Sequence, residues 1–203
     1  MLGLTNSLTN AKPLLYDSVG CTAFDGVREY IDTEQTFQAI LRDSFTIAFW
    51  LRTDTRGLTY FGTKESSDTN HLMLTDASGV LTFEFKANSD PIKIESDGAL
   101  FAADGTGSEW WHIAIVVTKT GTGASDNSTV AIYKNGSALE DPTVTGALAG
   151  SNQGSYACND NLAIGALNNN GSAGSYAEEQ KTFLKPMVII KTLIALNYKL
   201  GIN

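Results

Sequence analysis

Apolar and polar residues alternate along much of this chain with a period of two, the pattern of β-strands that bury one face. The alternation is clearest at residues 45–52, 81–86 and 111–117. In the last of these segments both alternating sets are largely apolar, so we expect a central strand there. Helical spacing is scarce, and the pattern predicts an all-β protein.

Turn signals separate the predicted strands. The pair Asn135-Gly136 follows an apolar run and supplies the positive φ angles of a tight hairpin turn. Further glycine-bearing turns are expected at Asp25-Gly26, Ser78-Gly79, Asp97-Gly98 and Asp104-Gly105. Their spacing is typical of many short antiparallel strands in a β-sandwich.

The length of 203 residues suits one sandwich domain with one core. We therefore expect a single domain over residues 1–203, with residues 1–20 as an N-terminal arm and 183–203 as a final strand and tail. Stretches rich in Gly, Ser and Asn are predicted to be surface loops, and they cover residues 120–128, 149–161 and 168–175.

The C-terminal segment combines a strand pattern with a helical one. Residues 183–190 are apolar and β-branched, and Pro186 within them requires an edge, a strand start or a bulge. Leu193, Leu196 and Leu200 then follow at roughly helical spacing. We expect a final strand followed by a short helical turn.

The charge balance excludes some classes of partner. Fourteen Lys and Arg residues stand against twenty-two Asp and Glu residues, a formal net charge of −8. Such a chain is repelled by nucleic-acid phosphates and anionic lipid headgroups, so we expect neither partner. No apolar run reaches the length of about 20 residues that spans a bilayer, and no secretion signal is visible, so we expect no transmembrane segment and no signal peptide.

The two cysteines, Cys21 and Cys158, lie far apart in the sequence. They could pair in an oxidising compartment, but without a secretion signal we favour two buried free thiols over a disulfide. No further cysteine is present to support a metal site.

The candidate catalytic and metal-binding side chains are few. His112 has neither a nucleophile nor a carboxylate in local register, so we expect a packed structural histidine. His71 begins a predicted strand, and two histidines in the whole chain are too few for a His-based zinc site. Glu84 has no acid two or four residues away on its strand, as a glycosidase of this architecture would need, and is interpreted as a solvated charge. We expect no enzyme and assign no catalytic, cofactor or metal residues.

Two weaker possibilities concern loops and aromatic residues. Loop oxygen ligands suit calcium, yet none has the fixed spacing of a known calcium loop, so no calcium site is assigned; these candidates are Asp126-Asn127, residues 159–161, and Asp104 with Glu109. Aromatic residues could stack on sugars if they are exposed, although apolar neighbours favour a core position; these are Tyr60, Phe61, Tyr156 and Tyr176.

Five sequence blocks, in order, resemble the laminin G-like group of concanavalin A-like lectin and glucanase domains. They are residues 23–31, with Phe24-Asp25-Gly26, the strand at 44–51, residues 110–114, with Trp110-Trp111-His112, residues 130–136, with Tyr133-Lys134-Asn135-Gly136, and residues 161–165, with Leu162-Ala163-Ile164-Gly165. The resemblance implies a two-sheet antiparallel jelly-roll sandwich. It weakens after residue 167, where the acidic strand that often helps to hold calcium in the family is replaced by residues 185–191, which contain no carboxylate.

A short leader, Met1-Leu2-Gly3-Leu4, joined to a solitary domain is also similar to virion proteins of tailed bacteriophages. This similarity implies a non-enzymatic structural protein, made in the host cytoplasm and located in the virion, that decorates a capsid or tail. Its expected partners are other virion proteins and copies of itself. A glycan-binding lectin or carbohydrate-binding module is the alternative, and a glycoside hydrolase of the same fold the third.

Overall fold

The computed structural model describes residues 22–24, 29–53, 56–100, 109–174, 182–184 and 188–191. Two sheets, largely antiparallel, contain most of these residues. Sheet A contains, in spatial order, β1 (Thr22–Phe24), β15 (Thr182–Leu184), β3 (Phe45–Arg52), β8 (Trp111–Thr118), β9 (Thr129–Lys134) and β10 (Ser137–Ala138), with β16 (Val188–Lys191) also paired to β3. The predicted strand at residues 111–117 is indeed central, because β8 lies between β3 and β9.

Sheet B faces sheet A across the core. Its spatial order is β11 (Thr143–Gly146), β7 (Asp90–Glu95), β6 (Val80–Ala87), β5 (His71–Ala77), β4 (Thr59–Lys64), β12 (Ala163–Ile164) and β2 (Ile31–Asp32), and the hairpin of β13 (Leu167–Asn169) and β14 (Ser172–Gly174) joins it at β4. Two short helices, α1 (Gln38–Leu41) and α2 (Gly150–Gly154), lie in the connections. The predicted all-β jelly-roll sandwich is confirmed.

The core consists of the inward residues of both sheets, as period-two alternation requires. Phe45 of β3 meets Phe85 of β6 edge to face, with ring centroids 5.3 Å apart. Phe49 of β3 meets Phe61 of β4 in the same way at 5.8 Å. Edge-to-face contact is a favoured geometry of aromatic pairs, and here it joins the two sheets at two points.

The predicted turns have the expected backbone conformations wherever they can be described. Asn135 and Gly136 have φ angles of 51° and 85°, and the pair closes the hairpin between β9 and β10. Ser78 and Gly79, at 55° and 88°, close the β5–β6 hairpin in the same way. The turns predicted at residues 25–26 and 104–105 lie outside the described residues.

Two of the three predicted surface loops are wrong. Residues 168–174 belong largely to the β13–β14 hairpin, whose turn is formed by Asn170 and Gly171. In the stretch 149–161, α2 forms and Tyr156 and Cys158 are fully buried, because the segment closes one end of the sandwich. A high content of Gly, Ser and Asn indicated turns correctly but concealed the buried side chains between them.

The predicted C-terminal strand is present as two short strands. β15 and β16 both pair with β3, at Leu51–Arg52 and at Phe45–Ala48 respectively. Pro186, the helical turn after residue 191 and the N-terminal arm lie outside the described residues, as does Cys21. Cys158 is a buried free thiol, as expected. Among the described residues, no helix is long and apolar enough to cross a membrane.

Candidate functional site

The outer face of sheet A carries a group of aromatic side chains. Trp50 of β3 retains 40% of its surface in solvent, although its strand neighbours Phe49 and Leu51 are buried. Its direct cross-strand partner is His112 of β8, and their ring centroids lie 5.3 Å apart at a tilt of 59°. Tyr133 of β9 lies diagonally to His112 on the same face. We call Trp50, His112 and Tyr133 the aromatic platform.

Small side chains lie beside the platform. Ala48 of β3 pairs with Ala114 of β8, so the outer face rises little above the backbone at this pair, and Tyr133 of β9 stands at the end of the same row. Polar groups flank it. The side-chain oxygen of Asn135 accepts a hydrogen bond from the His112 backbone N–H at 2.9 Å, which fixes the hairpin turn at the end of the platform. The result is a shallow apolar surface with a raised aromatic border.

The outer face of sheet B is charged instead. The His71 side chain is only 4% exposed, and its Nδ1 lies 2.9 Å from the Asp68 carboxylate. Its Nε2 lies 3.1 Å from Glu84, outside hydrogen-bond alignment. Lys64 and Lys86 also contact Asp68, at 3.2 Å and 3.3 Å. This network refines the prediction for Glu84, which is half-buried beside a histidine and not simply solvated.

These contacts keep the two carboxyl groups ionised. The contact with His71 holds the pKa of Glu84 below its ordinary value of 4.5, against the opposing effect of burial. Burial by itself would raise the pKa of Asp68, but contacts with His71, Lys64 and Lys86 outweigh it and lower that pKa to about 2. A glycosidase needs one carboxyl group with a raised pKa as its general acid, and neither group has one.

A cavity of about 360 Å³ opens at the rim of the sandwich, between the segment that follows β7 and the β9–β10 hairpin. Asp97, Lys134, Ser137 and Glu140 contribute polar groups to its lining. The Lys134 ammonium lies 3.2 Å from the centroid of the Trp111 ring, a cation–π contact. Burial lowers the pKa of Lys134, while the negative charge of Glu109 acts in the opposite direction.

Three of the four aromatic residues named from the sequence as possible sugar contacts are not in a position to make them. Tyr60, Phe61 and Tyr156 belong to the core, and each exposes at most 1% of its surface to solvent. Tyr176 lies outside the described residues. Trp50 occupies the outward phase of its strand, and that phase was the signal in the sequence for an exposed aromatic residue.

Several of the loop residues considered for calcium have other hydrogen-bond partners. Asp126 accepts a hydrogen bond from the Gly123 backbone N–H at 2.8 Å, and Asn159 accepts one from Gln38 at 3.3 Å. Asp160 contributes its backbone carbonyl to Thr63. Within the described ranges, no three His, Cys, Asp or Glu side chains are grouped as metal ligands. Asp104, the proposed partner of Glu109, lies outside them.

Comparison with known families agrees with this architecture. The model of the laminin G-like domain, described as the concanavalin A-like lectin/glucanases superfamily, matches residues 25–177. The chain belongs to this superfamily. No significant match to a curated protein was found. This superfamily member has the fold that its five sequence blocks indicated, and the match extends twelve residues beyond the last of them.

Solved structures similar to this superfamily member include binding modules. It aligns with domains LG4–5 of the mouse laminin α1 chain at a TM-score of 0.60 and 13% identity, covering 85% of this chain and 42% of that one. It aligns with the carbohydrate-binding module (CBM40) of a Ruminococcus gnavus sialidase, solved with α2,3-sialyllactose, at 0.57 and 12% identity, covering 86% and 94%. A third match is the NanB sialidase of Streptococcus pneumoniae, at 0.60 and 14%, covering 86% and 26%. At such identities the likeness concerns the fold.

Proposed function

We propose that this protein is a non-enzymatic carbohydrate-binding domain whose ligand lies on the aromatic platform. The observation that carries the proposal is Trp50, a large aromatic side chain left 40% exposed on the outer face of β3, whereas its strand neighbours Phe49 and Leu51 are buried on the inner face. Sugars present flat C–H faces that pack on aromatic rings and hydroxyl groups that need hydrogen bonds. A shallow surface with aromatic side chains and a few polar neighbours meets both needs.

The charge distribution supports binding without catalysis. Strands β3, β8 and β9, which form the platform, contain no Asp or Glu residue, so they bring no carboxyl pair to a sugar bound there. On the opposite sheet, Glu84 lies beside His71 and Glu95 beside Lys93. Hydrolysis would need one of them to hold a proton near neutral pH, and the lowered pKa of Glu84 opposes this.

Replacement of Trp50 by alanine tests the proposal. The wild-type protein is expected to bind members of an array of immobilised oligosaccharides, and Trp50→Ala is expected to weaken the strongest of these interactions at least about tenfold, roughly 1.4 kcal/mol. Val144→Ala is the matched control, because Val144 is 50% exposed on the edge strand β11 of the other sheet. Isothermal titration calorimetry with the best oligosaccharide provides the affinities.

The effect of Trp50→Ala on folding is expected to be small, since the side chain is not part of the core. Both variants should therefore keep the wild-type thermal unfolding midpoint to within a few degrees. Equal sugar affinity in wild type and Trp50→Ala would place any binding elsewhere on the molecule. A complete absence of binding on the array would refute the proposed function.

A second candidate function is that of a virion structural protein of a tailed bacteriophage, a capsid decoration or tail-associated component acting through protein contacts. The observation that favours it is the apolar character of the outer face of sheet A, where four small side chains are only partly buried: Ala48, Ala114, Val116 and Ala131. Such a face suits an interface with another protein. Mass spectrometry of purified virions of the encoding phage should detect the chain, and its absence would exclude this role.

A further inference from the structure

The rim cavity and the aromatic platform share one hairpin. Successive residues of a strand point to opposite faces, so Tyr133 lies on the platform while Lys134 lines the cavity. β10, with only the two residues Ser137 and Ala138, forms the edge of sheet A beside them. A ligand that extends past the platform over this edge therefore reaches the cavity.

From this arrangement we propose that the cavity is a second subsite, which holds an uncharged sugar unit of the glycan bound at the platform. The inference rests on the proposed function and adds to it the chemical class of the ligand. A volume of about 360 Å³ lies at the lower end of the range of small-molecule pockets, and it suits one or two sugar rings.

The hydrogen-bonding groups of the cavity suit hydroxyl donors. Asp97 and Glu140 have no hydrogen-bond or ion-pair partner within the described part of the chain. A carboxylate accepts strong charge-assisted hydrogen bonds from hydroxyl groups. Ser137 adds a hydroxyl that can both donate and accept. Leu100 and Leu139 provide apolar surface for the C–H face of a ring.

The charges of the cavity disfavour an acidic sugar. Among the described residues that line the cavity, two carboxylates stand against one ammonium, that of Lys134, and this ammonium already lies on the Trp111 ring. A sialic acid or sulfate group would meet Asp97 and Glu140 without an available cation. The formal net charge of −8 adds a weaker repulsion at longer range. A neutral sugar avoids both costs.

The experiment uses an array of oligosaccharides in matched pairs, with and without a terminal sialic acid or sulfate. The protein is expected to bind the neutral member of a pair at least about tenfold more tightly than the acidic one. Glu140→Gln and Asp97→Asn are each expected to weaken binding of the best neutral oligosaccharide about three- to tenfold, because an amide accepts weaker hydrogen bonds than a carboxylate.

Asp141→Asn is the control for these variants. Asp141 follows Glu140 directly and is exposed, but it does not line the cavity, so its replacement changes the net charge equally and leaves the subsite intact. Its affinity should equal that of the wild type.

The outcomes separate the two proposals. Preference for acidic glycans, or unchanged affinity in both Glu140→Gln and Asp97→Asn, would overturn the subsite while the platform stands, provided Trp50→Ala still loses binding. If the wild-type protein binds no glycan on the array, the proposed function fails and the subsite with it.

Discussion

Replacing Asp76 with alanine is expected to lower the free energy of unfolding by about 3–5 kcal/mol. Asp76 is 4% exposed, and its carboxylate accepts hydrogen bonds from the Tyr60 hydroxyl at 2.7 Å and from the backbone N–H groups of Gly57 and Gly79 at 2.7 Å and 3.1 Å. The variant leaves these three donors without their acceptor. A buried donor that loses its partner costs about 1–3 kcal/mol.

The tyrosine in this group remains a donor at all ordinary pH values. Burial, and then the negative charge of Asp76, raises the pKa of Tyr60 well above its usual value of 10. Tyr60→Phe is therefore a graded control, because it removes the hydrogen bond to Asp76, keeps the ring, and leaves the two glycine N–H groups bonded to the carboxylate. It is expected to lower the free energy of unfolding by only about 1 kcal/mol.

Chemical denaturation with urea, followed by tryptophan fluorescence, measures both values. If Asp76 stabilises the fold through all three hydrogen bonds, Asp76→Ala is clearly more destabilising than Tyr60→Phe. Equal losses of unfolding free energy in the two variants would contradict this. They would mean that the hydrogen bonds from the two glycine N–H groups to Asp76 add no measurable stability.

Gln153→Ala is expected to lower the free energy of unfolding by about 3 kcal/mol. Gln153 lies in α2 with no exposed surface. Its amide donates hydrogen bonds to the backbone carbonyls of Leu41 and Asp43, at 3.1 Å and 2.7 Å, and its oxygen accepts one from the Ser128 hydroxyl at 2.6 Å. One side chain thereby joins three separate segments at one end of the sandwich.

Two further variants test this role by urea denaturation. Ser151→Ala, in the same helix, is expected to change stability by less than about 0.5 kcal/mol, because its hydroxyl makes none of these contacts. Gln153→Glu has nearly the same shape but turns acceptor oxygens toward two carbonyls and buries a charge, so it should be at least as destabilising as alanine. A stable Gln153→Glu protein would contradict the hydrogen-bond assignment.

Local pattern predicted the strands of the sheet centres well. Alternation at residues 45–52 and 111–117 corresponds to β3 and β8, and Asn135-Gly136 to the turn after β9. These features depend on side-chain alternation and on backbone preferences that neighbouring residues decide. The five-block resemblance likewise identified the superfamily.

The buried polar side chains Asp76 and Gln153 were not predicted from the sequence. Asp76 shares the inward phase of β5 with Leu72 and Leu74, and Gln153 lies in a stretch rich in Gly, Ser and Asn. Their partners are up to 112 residues away in the chain, as for Gln153 and Leu41. No periodicity encodes a hydrogen bond between such distant segments.

The amino-acid sequence of this protein was sufficient for its fold class, its superfamily and its central strands, because all of these follow from short-range pattern. The outward orientation of Trp50 could also be predicted from the alternation along its strand. The residues that surround it could not, because they depend on the register of β3, β8 and β9. That register pairs Trp50 with His112 and places Tyr133 and Lys134 on opposite faces of one hairpin. Strand pairing between distant segments created the platform and the rim cavity.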